Sequence, residues 1–508
     1  MSNLSELLPS GGGQNVVEFT ASGAVASGKP VILNSDGTVT EVAESTTSPS
    51  LPLGSILNFN SQASEYYSVK ADPFNNNRWI IAWMDDVGTK YVRVRVVTRS
   101  GTTLTTSSIS NADTTGNAGY VSVEWDKNQE NVFLLVYVLS ANGYAKVGTV
   151  SGSAGSESFS YGTRLDNWSS SSAISQSNNR SFELRCMGTT GNFIVGFNNS
   201  SNYVACRVLS VSGTSVTAPG STTVIYSGSR NGPQFAVNPG DSDKVVAIYQ
   251  GSNKVRLADL SISGTTVTVT SSENIIDNSE NQDTWFGITP VSGDSSTFTF
   301  ITLSADTGTS RGSCYLNTLS GGTFTMGTKT NISTNATNDL RIDNNVDGDK
   351  NTFICVYNDN SSRDYYGVVG TISGSSLSFA SESELADAIT ISGFFQNVAQ
   401  QSDDEGNFLA VWRQSSDTNG RAVLGKTGGT TTNLTSTNFI GLASAAISDT
   451  ASGDINIKGG INEAQTGLTI GSDYYVQSDG TVSTTSTSPA VKIGQAITAT
   501  TINMMDLT

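Results

Sequence analysis

The chain has 508 residues, a net charge of −17, only 14% charged residues and no histidine. So acidic a chain offers no basic stripe to displace counterions from a phosphate backbone, which argues against a nucleic-acid partner. Without histidine it also lacks the commonest general base, the Ser-His triad and most zinc sites.

Leu4, Leu7 and Leu8 precede Pro9 and the Gly11-Gly12-Gly13 tract, so residues 1–15 read as a tether. An apolar hook on a flexible break and a frayed terminus fit this segment equally well. It has neither the cationic start nor the apolar core of a cleaved signal peptide. No run reaches the roughly 20 apolar residues of a membrane span. The expectation is synthesis in a reducing cytoplasm, with no membrane insertion.

Residues 16–59 read as the first half of a small β module. Asp36-Gly37 between apolar runs predicts a two-residue hairpin loop, and Leu51-Pro52-Leu53-Gly54 is a further extended piece. The passage returns near the other end. Gly471–Val482 aligns with Gly28–Val39, and Thr487–Gly494 with Thr47–Gly54. Residues 438–508 are therefore the second half of the module, and the two halves are expected to pack as one pseudo-symmetric β domain.

Between them, residues 60–437 repeat one pattern seven times. The repeats are marked by Ser100-Gly101, Ser151-Gly152, Ser212-Gly213, Ser263-Gly264, Ser320-Gly321, Ser373-Gly374 and, in seventh place, Gly428-Gly429. Intervals of 51, 61, 51, 57, 53 and 55 residues, with four strand-like runs per unit, predict a seven-bladed β-propeller. Second strands such as Trp79–Trp83 and Val132–Tyr137 are apolar on both faces, as blade-on-blade packing requires. Third strands alternate, and Thr-rich fourth strands such as Thr266–Thr270 suit a solvated outer edge. Abundant Ser, Thr and Asn, and the absence of sustained i, i+3, i+4, i+7 spacing, agree with an all-β chain: a propeller inserted between two copies of a β module.

Cys186, Cys206, Cys314 and Cys355 each fall inside a strand-like run and read as buried free thiols. Cys186 and Cys206 belong to the first and third strands of one repeat, so an intervening strand holds them apart. Acidic turns at Asp347-Gly348-Asp349 and Asp403-Asp404-Glu405 admit calcium, but they lack EF-hand spacing and equally make good hairpin turns. Many carboxylates are present, yet none is paired by context for glycoside hydrolysis, and no Ser-x-Asp-x-Gly-x-Thr-Trp turn of the sialidase kind occurs. No catalytic residue, metal ligand or cofactor is expected. Aromatic residues recur where first strands begin, among them Tyr66, Tyr120, Trp285 and Phe394. They read either as a binding rim around one end of the ring or as core positions repeated with the blades.

Met1–Pro9 with its Gly tract, Phe19–Gly23, Phe439–Ala443, Asp454–Gly460 and Gly467–Val476 resemble segments of virion structural proteins of tailed bacteriophages. The likeness is to fibre, appendage and head-decoration proteins of marine phages. It covers roughly the first 60 and last 70 residues; for the central repeats it is architectural. It implies a non-enzymatic virion protein whose terminal modules bind other virion proteins and whose propeller meets a host-surface glycan or protein. A cyclic homo-oligomer, a trimer first, is implied as well. The alternative is a carbohydrate-active propeller, either a lectin-like binder or a depolymerase using two carboxylates.

Overall fold

The structure is a computed structural model that describes residues 15–504, apart from 87, 117, 170–173, 175–181, 230–231, 252–253, 275–285, 306–310, 334–336, 345–350, 360, 388, 390–395, 403–405, 487–488 and 490. Among the described residues there is no helix, and the strands form ten sheets. The chain divides into two compact units, residues 48–429 and residues 1–47 with 430–508.

The larger unit is built from seven antiparallel sheets. Their first strands are Ser64–Ala71, Ala118–Trp125, Glu183–Cys186, Gln234–Val237, Phe286–Gly293, Thr337–Asn344 and Gln396–Gln400. Each first strand lies beside the first strand of the next sheet, and the seventh lies beside the first, closing a ring. The ring has no single core. Seven apolar clusters each bridge two neighbouring sheets. This explains the doubly apolar second strands: Arg78–Asp85, Val132–Leu139 and Thr352–Asp359 are buried along their whole length, because a sheet gripped from both sides has no wet face.

The Ser-Gly signals sit where expected. Third strands end at Ser100, Ser151, Ser212, Ser263, Ser320 and Ser373, and each following glycine has positive φ. In five of the six cases the serine pairs with the residue three positions on, which closes a two-residue loop. Gly in the first loop position supplies the left-handed backbone that matches the twist of the flanking strands.

The seventh signal, Gly428-Gly429, is not such a turn. The outer strand of the seventh sheet is Ser50–Asn60, which pairs with Gly420–Lys426. The boundaries expected at 59/60 and 437/438 therefore move to 47/48 and 429/430. The physical reason is closure: a strand from the far side of the sequence completes the last sheet, so ladder bonds tie the ring's two chain ends together. Side chains reinforce the junction of the seventh and first sheets. Trp79 Nε1 donates to the Ala399 carbonyl at 3.0 Å and Gln401 Nε2 to that of Arg78 at 2.7 Å.

In the smaller unit, both chain ends share one sheet, ordered Val16–Thr20, Ser452–Asn456, Phe439–Ala443, Pro30–Leu33 and Val39–Glu41. A second sheet is C-terminal alone, with Asp473–Val476 and Val482–Ser483 at one side. The aligned sequences form matching hairpins. Asn34 N donates to Thr38 O and Gln477 N to Thr481 O, each at 2.9 Å, while Asp36 and Asp479 accept from the main chain and hydroxyl of Thr38 and Thr481. Each loop thus has three residues rather than two, with positive φ at Gly37 and Gly480. The second aligned blocks diverge. Val491–Thr498 stays in this unit, whereas Ser50–Asn60 crosses into the ring.

All four cysteines are buried and free. Cys186 and Cys206 lie on either side of Asn192–Asn198. Cys314 and Cys355, from the fifth and sixth sheets, bring their sulfurs to 3.8 Å.

Candidate functional site: the axial channel of the ring

First strands surround the ring axis, so their side chains decide what the axis contains. A belt of side-chain-to-main-chain bonds joins neighbouring first strands. Ser68 Oγ accepts from Val123 N and Ser122 Oγ from Leu184 N, both at 3.1 Å. Glu183 accepts from Phe235 N at 2.9 Å, and Gln234 Nε2 donates to Phe286 O at 3.0 Å. Asp343 accepts from Gln400 N at 2.9 Å, and Asn397 Nδ2 donates to Tyr67 O at 3.2 Å.

Two cavities lie along the axis and meet at Lys70, Arg185 and Asp343. Ion pairs occupy this waist: Lys70 with Glu124 at 3.3 Å and Arg185 with Glu183 at 2.8 Å. Burial pushes the Asp343 carboxyl above its ordinary value, against the opposing pull of Arg185, Lys70 and the Gln400 amide. Burial works against the Arg185 charge too, but Glu183, Glu124 and Asp343 outweigh it and hold the guanidinium's pKa up.

The narrow cavity, about 90 Å³, is bordered by Tyr66, Tyr120 and Phe182. The Tyr66 and Tyr120 rings meet edge to face at 4.7 Å, and Tyr120 stands 6.2 Å from Phe182. Tyr66 is held at φ 57°, a left-handed conformation that a bulky residue adopts only under constraint. Tyr120 is buried within the cluster between the second and third sheets, and Tyr66 and Phe182 pack against it. Two of the aromatic positions expected at a rim, Tyr66 and Tyr120, are thus brought together. Trp285 and Phe394 lie outside the described residues, as do Leu4, Leu7 and Leu8 and the turns Asp347–Asp349 and Asp403–Glu405.

The wide cavity, about 440 Å³, opens at the other end of the axis. Here first strands end in Asx turns: Asp72 Oδ1 accepts from Phe74 N, Asp126 Oδ1 from Asn128 N and Asn238 Oδ1 from Gly240 N. Asp72 is also paired with Arg78, yet burial keeps its pKa raised. Pro73, Pro239 and Pro290 supply apolar wall, and Phe74 is 48% exposed. Among the described residues no group of three or more Cys, Asp and Glu is placed to hold a metal ion.

Two amides of the wide cavity stand apart. Among the described residues Asn344, 4% exposed, has no hydrogen-bond partner at either its oxygen or its nitrogen, while Gln400, 5% exposed, donates from Nε2 to Thr427 Oγ1 at 3.1 Å and lacks a partner only at Oε1. An unpaired buried amide costs about 1–3 kcal/mol, so Asn344 calls for an explanation. The bond from Gln400 N to Asp343 sets the two residues on adjoining strands. Sequence reading missed both, because neither belongs to a motif. Their signal lies in the repeat register. Opposite the second residue of the second strand, other sheets carry Ala71, Trp125, Cys186, Val237 or Gly293. Only the sixth and seventh place an amide there.

No protein-family model matches the chain, nor does any curated protein. Among solved structures, the chain is similar to Sqt1 of Chaetomium thermophilum bound to the N-terminus of ribosomal protein L10, with 10% identity over 70% of this chain and 84% of that one, at TM-score 0.44. It is similar to the BP39L lectin of Burkholderia pseudomallei, with 11% identity over 73% and 98% of the two chains, at TM-score 0.49. It is also similar to the NanB sialidase of Streptococcus pneumoniae, with 11% identity over 74% and 70%, at TM-score 0.38.

Proposed function

We propose that the chain is a non-enzymatic binding protein, a seven-bladed β-propeller that takes a surface carbohydrate into the wide end of its axial channel. The observation that carries this reading is the cavity of about 440 Å³, which joins apolar wall from Pro73, Phe74, Pro239 and Pro290 to polar side chains of the first strands. Pockets for small ligands span roughly 300–1,000 Å³ and combine apolar wall with a few convergent polar groups. Sugar hydroxyls both donate and accept, and so suit a lining that offers cations, carboxylates and amides together. The nearby prolines and Phe74 offer apolar surface for a pyranose face.

The waist carboxylates support binding over hydrolysis. Glu124 and Glu183 are held by cations and Asp343 by a main-chain amide, so each is already engaged. The unit shared by the two chain ends supports an anchoring role, in keeping with the resemblance of its segments to phage virion proteins: the ring is displayed for host-surface attachment and the terminal unit fixes it to a particle. Incubation with bacterial surface polysaccharides tests the reading. Retention without new reducing ends is expected. Release of shorter oligosaccharides, abolished by Asp343→Asn, would replace binding with depolymerisation.

A further inference from the structure

We infer that Cys314 and Cys355 are an oxidisable pair, a disulfide site that staples the fifth sheet to the sixth when the protein meets a small disulfide such as oxidised glutathione. This site is independent of any ligand of the channel.

The two cysteines come from different sheets. Cys314 lies on Gly312–Ser320, between Leu303 and Thr330 of its own sheet, and Cys355 on Thr352–Asp359, between Ile342 and Val368 of the next. Ladders on both sides fix each backbone, and both side chains are turned into the apolar cluster that bridges the sheets. Their sulfurs stand 3.8 Å apart. A disulfide needs about 2.05 Å, so less than about 2 Å of approach, shared between two side chains, separates contact from bond. Among the described residues no ladder bond crosses from the fifth sheet to the sixth. Side chains alone make that junction, and a covalent link there would constrain the unfolded chain across a loop of about 40 residues.

The other pair cannot compete. Cys186 and Cys206 flank Asn192–Asn198 within one sheet, opposite Phe193 and Gly196 respectively. Two strand spacings, about 10 Å, keep them apart. Oxidation should therefore yield one bond and leave two thiols.

The bond forms by two exchanges. The thiolate of one cysteine attacks a sulfur of glutathione disulfide and expels a glutathione thiolate. The second cysteine's thiolate then attacks that mixed disulfide and expels another. Two protein thiols are oxidised, one small disulfide is reduced to two thiols, and the two protons pass to the departing thiolates. Burial holds the Cys314 thiol protonated in the closed ring. Exchange accordingly proceeds during folding, or when the two sheets part.

The test is to refold the full chain in a glutathione redox buffer, and separately to hold the native protein in that buffer a few degrees below its melting temperature. Thiols are then counted under denaturing conditions and linked peptides mapped without reductant. Two remaining thiols are expected, with one linked pair holding Cys314 and Cys355. The melting temperature should exceed that of the reduced protein by about 2 °C or more. Cys314→Ala and Cys355→Ala should each abolish the link and this gain. Four thiols surviving both treatments overturn the inference, and so does a link through Cys186 or Cys206. A Cys314–Cys355 link that leaves the melting temperature unmoved overturns the staple.

Discussion

The two ends of the axial channel are built from the same seven strands and have opposite economies. At the narrow end aromatic rings pack on one another and on the core between the second and third sheets, and that end is stability made visible. At the wide end the buried Asn344 amide has no partner at either atom among the described residues. A ring selected for stability alone would place apolar side chains there, as most of its sheets do. The contrast teaches that recurrence of a residue type around a ring marks packing, whereas a departure from the repeat, as at Asn344 and Gln400, is not explained by packing.

The largest effect expected is at the narrow end. Tyr120→Ala removes a buried ring and should cost about 3–5 kcal/mol of stability in chemical denaturation, while polysaccharide retention at a temperature where the variant stays folded is unchanged. A loss of retention in that folded variant would erase the distinction between the ends. At the waist, Lys70→Met removes the cation paired with Glu124 in a site where both side chains are little exposed. It should cost about 2 kcal/mol, recovered in large part by adding Glu124→Leu. Failure of that rescue would mean the pair is not what holds the waist. At the wide end the sign reverses: Asn344→Leu should leave stability equal or raise it by about 1 kcal/mol, because an unpaired amide is replaced by an apolar group.

The smallest effect is a pH dependence. The Asp343 carboxyl has its pKa raised by burial, so folding disfavours its ionised form. Its contribution is fully present below the ordinary aspartate value of about 3.9 and is lost as pH rises through the higher folded value. Asp343→Asn should therefore gain on the wild type above that range, with the advantage vanishing in acid. Asp113, outside the channel, runs the other way. Burial would raise it, but bonds from Thr115 and Tyr137 overcome this and lower it to about 2. Its stabilisation is present above the ordinary value and lost as pH falls toward about 2. Denaturation curves of Asp343→Asn and Asp113→Asn across acid pH should diverge from wild type in opposite senses.

Much of the fold was legible beforehand because it rests on local chemistry repeated along the chain. Doubly apolar second strands announced sheets packed on both faces, and Ser-Gly pairs announced loops needing a left-handed residue. The hairpins at Asn34–Thr38 and Gln477–Thr481 followed from near-identical local sequence. The candidate site was not legible in the same way. Asn344 and Gln400 are ordinary polar residues near strand ends, and which of their amide atoms find a partner is decided only in three dimensions.

The duplicated blocks mark the limit most clearly. Thr47–Gly54 and Thr487–Gly494 align in sequence, and their composition suits an extended strand in both places. Sequence alone determined that much, because strand character is a matter of side chains on a pleated backbone. Which sheet each strand joins was decided only by tertiary structure. The seventh sheet had an open edge beside Gly420–Lys426, and Ser50–Asn60 filled it, while Val491–Thr498 found its partners among C-terminal strands. Ladder hydrogen bonds are made between main chains and carry little sequence preference, so the choice of partner belongs to the closure of the ring and not to the residues of the strand.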